Sequence, residues 1–197
     1  YGTLYSKKEL EALRKVCDTY HLYLYVDGAR LAYALGSSDN DVSLKDLAKY
    51  TDAFYIGGTK CGTLFGEAVV IPDQNLIPCF FTTIKQGGAL LAKGRMTGIQ
   101  FDEMFTKDLY LKAGRKAVEF SKKITDAFAK HGYEVYMPTY TNQLFINFED
   151  TVLKKFQEKV STSFWAKTDD TLIRLATSWA TTEEEVDELI AWMKECK

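Results

Sequence analysis

Two apolar runs that each end near a charged residue constrain the fold of this chain most. Residues 22–26 are apolar and aromatic, and Asp27 follows them directly. Residues 53–56 form a second such run, and Lys60 lies in the glycine-containing turn after it. The residues between the runs favour helix, so the pattern predicts a β-α-β unit with parallel strands. Asp27 and Lys60 should then share the carboxyl edge of one sheet, where open α/β sheets bind ligands.

An acid and a lysine at one sheet edge match the needs of one cofactor, pyridoxal phosphate (PLP). PLP requires a lysine amine to form an imine with its aldehyde, and an acid beside its ring nitrogen keeps the pyridine protonated. Taken alone, Lys60 is typical of a solvated loop lysine, and Asp27 is typical of a helix N-cap. Together the two residues favour a cofactor site.

Several motifs that include this pair resemble the threonine aldolase branch of the fold-type I PLP enzymes. They are Tyr25–Ala32 (YVDGARLA), Asp52–Lys60 (DAFYIGGTK), Leu64–Ile71 (LFGEAVVI), Gly2–Ser6, Lys93–Gly98 and Ile173–Trp179. The likeness covers nearly the whole chain. The Asp-Gly-Ala-Arg motif combined with the later lysine is specific for this family, whereas the motif alone or the lysine alone would be weak evidence for it.

The resemblance implies roles for four of these residues. Lys60 would form the imine, and Asp27 would hold the pyridinium nitrogen. Arg30 and Arg174 resemble the two arginines that bind the substrate carboxylate, and a planar guanidinium suits a carboxylate well. The alternative for either arginine is a surface ion pair. That alternative is weaker for Arg174, because its neighbours on the last predicted strand are apolar.

Two further residues are candidates for the cofactor side, Arg95 from the resemblance and Thr59 from its place beside Lys60. Arg95 resembles an arginine that contacts the cofactor phosphate, often across a subunit interface, and its alternative is a solvated charge at a helix end. Thr59 is placed to reach the phosphate or the imine surroundings, and its alternative is a turn hydroxyl. Cys61 follows the key lysine, and we interpret it as a small packing residue.

The reaction that the resemblance implies is a retro-aldol cleavage of a β-hydroxy-α-amino acid, in which threonine yields glycine and acetaldehyde. Another fold-type I activity, β-elimination or transamination, would use the same acid, lysine and arginines. A rival of another class is a non-catalytic fragment that serves as a binding or oligomerisation module. Retro-aldol cleavage differs from β-elimination and transamination in its products, and a non-catalytic fragment predicts no imine at Lys60.

The fold class expected from the resemblance is α/β. Residues 1–105 would form the C-terminal part of the aspartate-aminotransferase-like large domain, and residues 106–197 a small α+β domain. The chain begins at Tyr1 without Met, and enzymes of this family are longer. Their ring-stacking histidine and phosphate-binding turn belong to the part that precedes this region. We therefore expect this chain to correspond to the C-terminal portion, within a homodimer or homotetramer.

Composition excludes several other classes. A formal net charge of −2 offers no electrostatic attraction to nucleic acid or to an anionic membrane. No apolar run approaches the roughly 20 residues that a membrane-spanning helix needs. The four cysteines lack metal-binding or redox spacing, which excludes a recognisable metal site and favours a reducing, cytoplasmic setting. The expected partner is a small amino acid substrate.

Local patterns predict several elements around this site. A capping box at Ser6 predicts a helix to about Tyr20. Residues 67–71 predict a strand antiparallel to residues 53–56. A helix is expected from about residue 89, with breaks near Gly94 and Gly98. Strands are expected near residues 135–137, 143–148, 164–166 and 172–176, with a last helix opened by Thr182.

Overall fold

The computed structural model describes residues 1–197 and contains eight α-helices and seven strands. The helices are α1 (Lys7–Thr19), α2 (Leu31–Gly36), α3 (Leu44–Tyr50), α4 (Phe80–Gln86), α5 (Arg95–Phe105), α6 (Leu109–Lys130), α7 (Asp150–Phe156) and α8 (Glu183–Cys196). The strands are β1 (Tyr25–Val26), β2 (Ala53–Gly57), β3 (Glu67–Val70), β4 (Glu134–Val135), β5 (Gln143–Phe148), β6 (Ser163–Lys167) and β7 (Thr171–Ala176). None of the helices combines the length and the apolar composition that crossing a bilayer requires.

The first sheet has the strand order β1-β2-β3 and carries the predicted β-α-β unit. β1 and β2 are parallel, with Tyr25 beside Ala53 and Val26 beside Phe54. β3 runs antiparallel to β2, so both predicted pairings are confirmed. The chain segments that follow β1 and β2 therefore leave the sheet at the same edge, and this edge positions the candidate site.

The second sheet is antiparallel throughout and has the strand order β4-β5-β7-β6. One face of it packs on α6, α7 and α8. The core between them contains Ile124, Phe128, Leu144, Ile146, Phe148, Phe156, Ile173 and Met193, all of which are buried. This lobe has the α+β character expected for the C-terminal part of the chain.

The long helix α6 joins the two lobes. Its first turn places Tyr110 in the core of the first lobe, with residues of α1, α2, α3 and β2. Farther along the helix, Ile124 and Phe128 belong to the core of the second lobe. Because one helix contributes to both cores, the division of the chain between residues 105 and 106 stays a prediction.

Capping boxes begin three of the helices, as their sequences indicate. The Ser6 hydroxyl accepts the Glu9 backbone N–H at 3.3 Å, and the Glu9 carboxylate accepts the Ser6 N–H at 2.7 Å. Thr182 and Glu185 form the same arrangement at the start of α8. Such boxes satisfy backbone donors that a helix start leaves unpaired.

Two predicted elements differ from the structure. The strand expected over residues 22–26 is reduced to Tyr25–Val26. Just before it, Leu24 donates its backbone N–H to the Asp52 carboxylate at 2.6 Å, and Arg14 pairs with that carboxylate at 2.7 Å. The helix expected from residue 89 is wrong. Residues 80–86 are helical instead, and Gly87 with Gly88, whose φ is +70°, ends that helix before α5 begins at Arg95.

Candidate active site

Two turns in direct backbone contact form the centre of the site. One turn follows β1 and carries Asp27, and the other follows β2 and carries Lys60. Gly57 donates its backbone N–H to the Gly28 carbonyl at 3.0 Å. A Cβ atom at Gly57 would lie 2.6 Å from that carbonyl oxygen, and a Cβ atom at Gly28 would overlap the carbonyl oxygen of Tyr55. Glycine is therefore required at both positions, because any side chain would push the turns apart.

The Asp27 carboxylate is exposed and held by two donors on one oxygen. Oδ1 accepts the backbone N–H of Ala29 at 3.0 Å and also the Tyr55 hydroxyl. These hydrogen bonds, with the positive charges of Lys60 and Arg30, lower the pKa of Asp27 below its ordinary value. The side chain is not the N-cap of α2, a position that Arg30 takes. Asp27 thus presents a permanent negative charge at the sheet edge.

The turn that carries Lys60 is fixed by three side chains that sequence reasoning missed. The Tyr33 hydroxyl donates to the Lys60 carbonyl, and the Tyr110 hydroxyl donates to the Gly57 carbonyl at 2.9 Å. Both tyrosines are about 1% exposed. The Glu67 carboxylate accepts the Gly58 backbone N–H at 2.6 Å. The backbone at Lys60 is therefore held, whereas its side chain is exposed.

Thr59 and Cys61 flank Lys60 and have separate environments. The Thr59 hydroxyl donates to the Glu67 carboxylate at 2.9 Å. Cys61 is buried in the first core, and burial raises the pKa of its thiol to about 12. The cysteine is therefore a packing residue, as interpreted from the sequence, because a thiol with that pKa is not a nucleophile near neutral pH.

Arg30 in the first lobe and Arg174 in the second lie close enough for their charges to interact. Burial lowers the pKa of the half-buried Arg30, and the positive charge of Arg174 lowers it further. The Nε of Arg30 is buried and has no hydrogen-bond partner. Arg174 donates to Gln143 Oε1 at 3.2 Å and to Ser163 at 3.5 Å, and its guanidinium lies 5.5 Å from the ring centre of Trp165. Two like charges beside an unpaired buried donor form an environment suited to an anion.

A cavity of about 410 Å³ adjoins Asp27 and Arg30. Asp27 and Arg30 line it from the first lobe, and Gln143, the partner of Arg174, lines it from the second. Much of the remaining wall is apolar. A volume of this size accommodates a small ligand.

Arg95 is the one predicted site residue that the structure does not connect to the others. It begins α5, its side chain is exposed, and it makes no hydrogen bond or ion pair. The structure thus places Asp27, Lys60, Thr59 and Arg30 on adjoining turns, with Arg174 near enough to affect the charge of Arg30. Gln143 carries only a weak sequence signal, a polar residue that opens an otherwise apolar strand.

Comparison with solved structures defines the class of fold. A threonine aldolase structure from Leishmania major superposes with a TM-score of 0.93 at 38% identity over 98% of this chain and 57% of that chain. An aspartate aminotransferase from Thermus thermophilus shares the fold at 15% identity, with a TM-score of 0.69. The chain therefore has the fold of the C-terminal part of fold-type I, aspartate-aminotransferase-like enzymes, as its motifs predicted.

The family follows from sequence comparison. Residues 1–151 match the family model for beta-eliminating lyases, and the chain belongs to that family. A low specificity L-threonine aldolase from Pseudomonas aeruginosa is 28% identical over 192 residues, and one from a Pseudomonas species is 27% identical over 194 residues. The chain spans about half the length of these relatives, 54% and 55%. The predicted resemblance to threonine aldolases is confirmed.

Proposed function

We propose that this chain carries part of the active site of a PLP-dependent lyase that cleaves a β-hydroxy-α-amino acid, converting threonine to glycine and acetaldehyde. The observation that carries the proposal is the backbone contact between the Asp27 and Lys60 turns, with the half-buried Arg30 beside them and Arg174 near enough to affect its charge. The similarity to threonine aldolases from Leishmania major and Pseudomonas aeruginosa supports the reaction.

Three features of the site fit PLP. Oδ2 of Asp27 accepts no hydrogen bond, so it is available to the protonated ring nitrogen. The amine of Lys60 is exposed and takes part in no ion pair, so it is available for covalent attachment. The buried Nε of Arg30 lacks a partner, and a substrate carboxylate would satisfy it.

PLP supplies an electron sink for the bond that breaks. Asp27 would hold the ring nitrogen in its protonated form, because a neighbouring negative charge favours the charged ring. Lys60 would hold the cofactor through its exposed amine. Arg30 and Arg174 bind the substrate carboxylate at two sides, which fixes the orientation of the Cα–Cβ bond before cleavage.

We assign Arg95 and Thr59 to the phosphate of the cofactor. Arg95 is exposed and unpaired, so it can serve a site in a neighbouring subunit of a homodimer or homotetramer. Thr59 would turn its hydroxyl from Glu67 to the phosphate. Light scattering of the purified protein measures its oligomeric state.

We also propose that the protein is located in the cytoplasm.

The products formed from threonine test the reaction. The chain is incubated with PLP and threonine, alone and as a chimera in which the unmatched segment of the Leishmania major enzyme precedes Tyr1. We expect glycine and acetaldehyde in equal amounts from the chimera. A keto acid with ammonia would instead indicate elimination, and a keto acid without ammonia, with the amino group transferred to the cofactor, would indicate transamination. Failure of the chimera to bind PLP would favour the binding-module alternative.

Replacing Arg174 with lysine tests the carboxylate site. Lysine keeps the charge but loses the planar fork, so the chimera should show a KM for threonine roughly 10- to 100-fold higher. The matched control is Arg115→Lys, since Arg115 is an exposed arginine of α6 without an ion pair. Equal KM values in the two variants would contradict the assignment.

A further inference from the structure

The side chain of Tyr55 lies beside Asp27 because of the strand register. Tyr25 pairs with Ala53 and Val26 with Phe54, so the next step along the parallel strands sets Tyr55 beside Asp27. The Tyr55 hydroxyl donates to Oδ1 of Asp27, the oxygen that also accepts the Ala29 N–H at 3.0 Å. With both donors on Oδ1, the carboxylate cannot rotate freely, and only Oδ2 remains open.

The groups around Asp27 and Tyr55 keep each partner of this hydrogen bond in a single protonation state. Asp27 is faced by Tyr55, Lys60 and Arg30, and the Tyr55 hydrogen bond is the largest cause of its low pKa. Tyr55 is faced by Asp27, Glu67 and Tyr25, and the bond to Asp27 is the main reason that its pKa is raised to about 12. Tyr55 therefore remains a donor, and Asp27 remains an acceptor, throughout the neutral range.

We propose that Tyr55 is a positioning residue that fixes the Asp27 carboxylate so that Oδ2 is the oxygen presented to the cofactor ring nitrogen. This inference rests on the proposed function for its cofactor part. Its geometric part concerns only Tyr55, Asp27 and Ala29 and does not need the cofactor. Tyr55 acts through Asp27, because its own hydroxyl is occupied by Oδ1.

The geometric part is tested on the chain without cofactor. Carbon NMR of the side-chain carboxyl gives the pKa of Asp27 in the wild type, in Tyr55→Phe and in Tyr25→Phe. Tyr25 is the matched control, because its ring lies 6.3 Å from that of Tyr55 and its hydroxyl makes no hydrogen bond. We expect the pKa of Asp27 to rise in Tyr55→Phe and to stay unchanged in Tyr25→Phe. An unchanged pKa in Tyr55→Phe would overturn the inference.

The cofactor part is tested by titrating the chimera with PLP, as wild type, Tyr55→Phe and Tyr25→Phe, and following the absorption of PLP. Tyr55→Phe should bind PLP roughly tenfold more weakly than Tyr25→Phe, in line with the loss of one charge-assisted hydrogen bond. Its binding should also decline at a higher pH as the solution is acidified, because Asp27 takes up its proton earlier. If Tyr55→Phe and Tyr25→Phe bound PLP with equal affinity and lost it at the same pH, the positioning role would be overturned.

The two proposals fail in different ways. If wild-type chain and chimera both fail to bind PLP, the proposed function is wrong, and the cofactor role of Tyr55 falls with it. If wild type binds PLP but Tyr55→Phe matches the control in pKa and affinity, the inference about Tyr55 alone is wrong. Equal unfolding midpoints of the two variants establish that neither effect comes from loss of the fold.

Discussion

Replacing Asp27 with asparagine is expected to lower the turnover of threonine by the chimera roughly 10- to 1000-fold. An opposite charge within a few ångströms shifts a pKa by about one to three units, and each unit is a factor of ten in the protonated fraction. Asparagine keeps an oxygen that can accept the hydrogen bonds of Ala29 and Tyr55. The variant therefore removes the charge while the local geometry is largely retained.

The measurement for Asp27 is kcat, together with the absorption of the bound cofactor as a function of pH. The ring nitrogen should lose its proton at a lower pH in Asp27→Asn than in the wild type. Asp102→Asn is the control, because Asp102 is an exposed acid on α5 whose carboxylate makes no hydrogen bond or ion pair. If Asp27→Asn turned threonine over at the wild-type rate, the proposed role of the Asp27 carboxylate would be contradicted.

Replacing Gly28 with alanine is expected to cost about 3 kcal/mol or more of the free energy of unfolding. A Cβ atom there would overlap the Tyr55 carbonyl oxygen and lie 2.8 Å from its carbonyl carbon. Both atoms belong to the backbone of β2, so no side-chain rotation relieves the overlap. The turns that carry Asp27 and Lys60 would separate, and PLP binding should be lost with the stability.

Urea denaturation of the Gly28 variant gives the free energy, and Gly98→Ala is its control. Gly98 lies inside α5, and a Cβ atom there would meet nothing within 4 Å. Since alanine is favoured over glycine within a helix by up to about 1 kcal/mol, the control should be neutral or more stable. If both variants were equally stable, the close packing of the two turns would be disproved.

The central pair of the site could be predicted from the sequence because its signals are local. Each strand is an apolar run, each site residue follows its run closely, and a β-α-β step makes the strands parallel. The expectation that Arg30 and Arg174 serve one carboxylate site came from the family resemblance. No pattern of spacing brings residues from two lobes to one place.

The residues that fix the backbone of the site could not be predicted from local sequence patterns. Tyr33 and Tyr110 look like ordinary core aromatics in the sequence, and only the fold brings their hydroxyls to the carbonyls of the Lys60 turn. Glu67 is the first residue of β3, and its contact with Gly58 depends on the conformation of the turn between β2 and β3. The helix over residues 80–86 was missed because its sequence, rich in Phe and Thr, has weak helical propensity.

The most direct test of the account is to locate where PLP attaches. The chain and the chimera are incubated with PLP, reduced with borohydride and digested, and the modified peptide is identified by mass spectrometry, with Lys60→Ala as the control. We expect a pyridoxyl group on Lys60 in the chimera and none at that position in the Lys60→Ala variant. A label absent from Lys60, or spread equally over the surface lysines of both proteins, would contradict it.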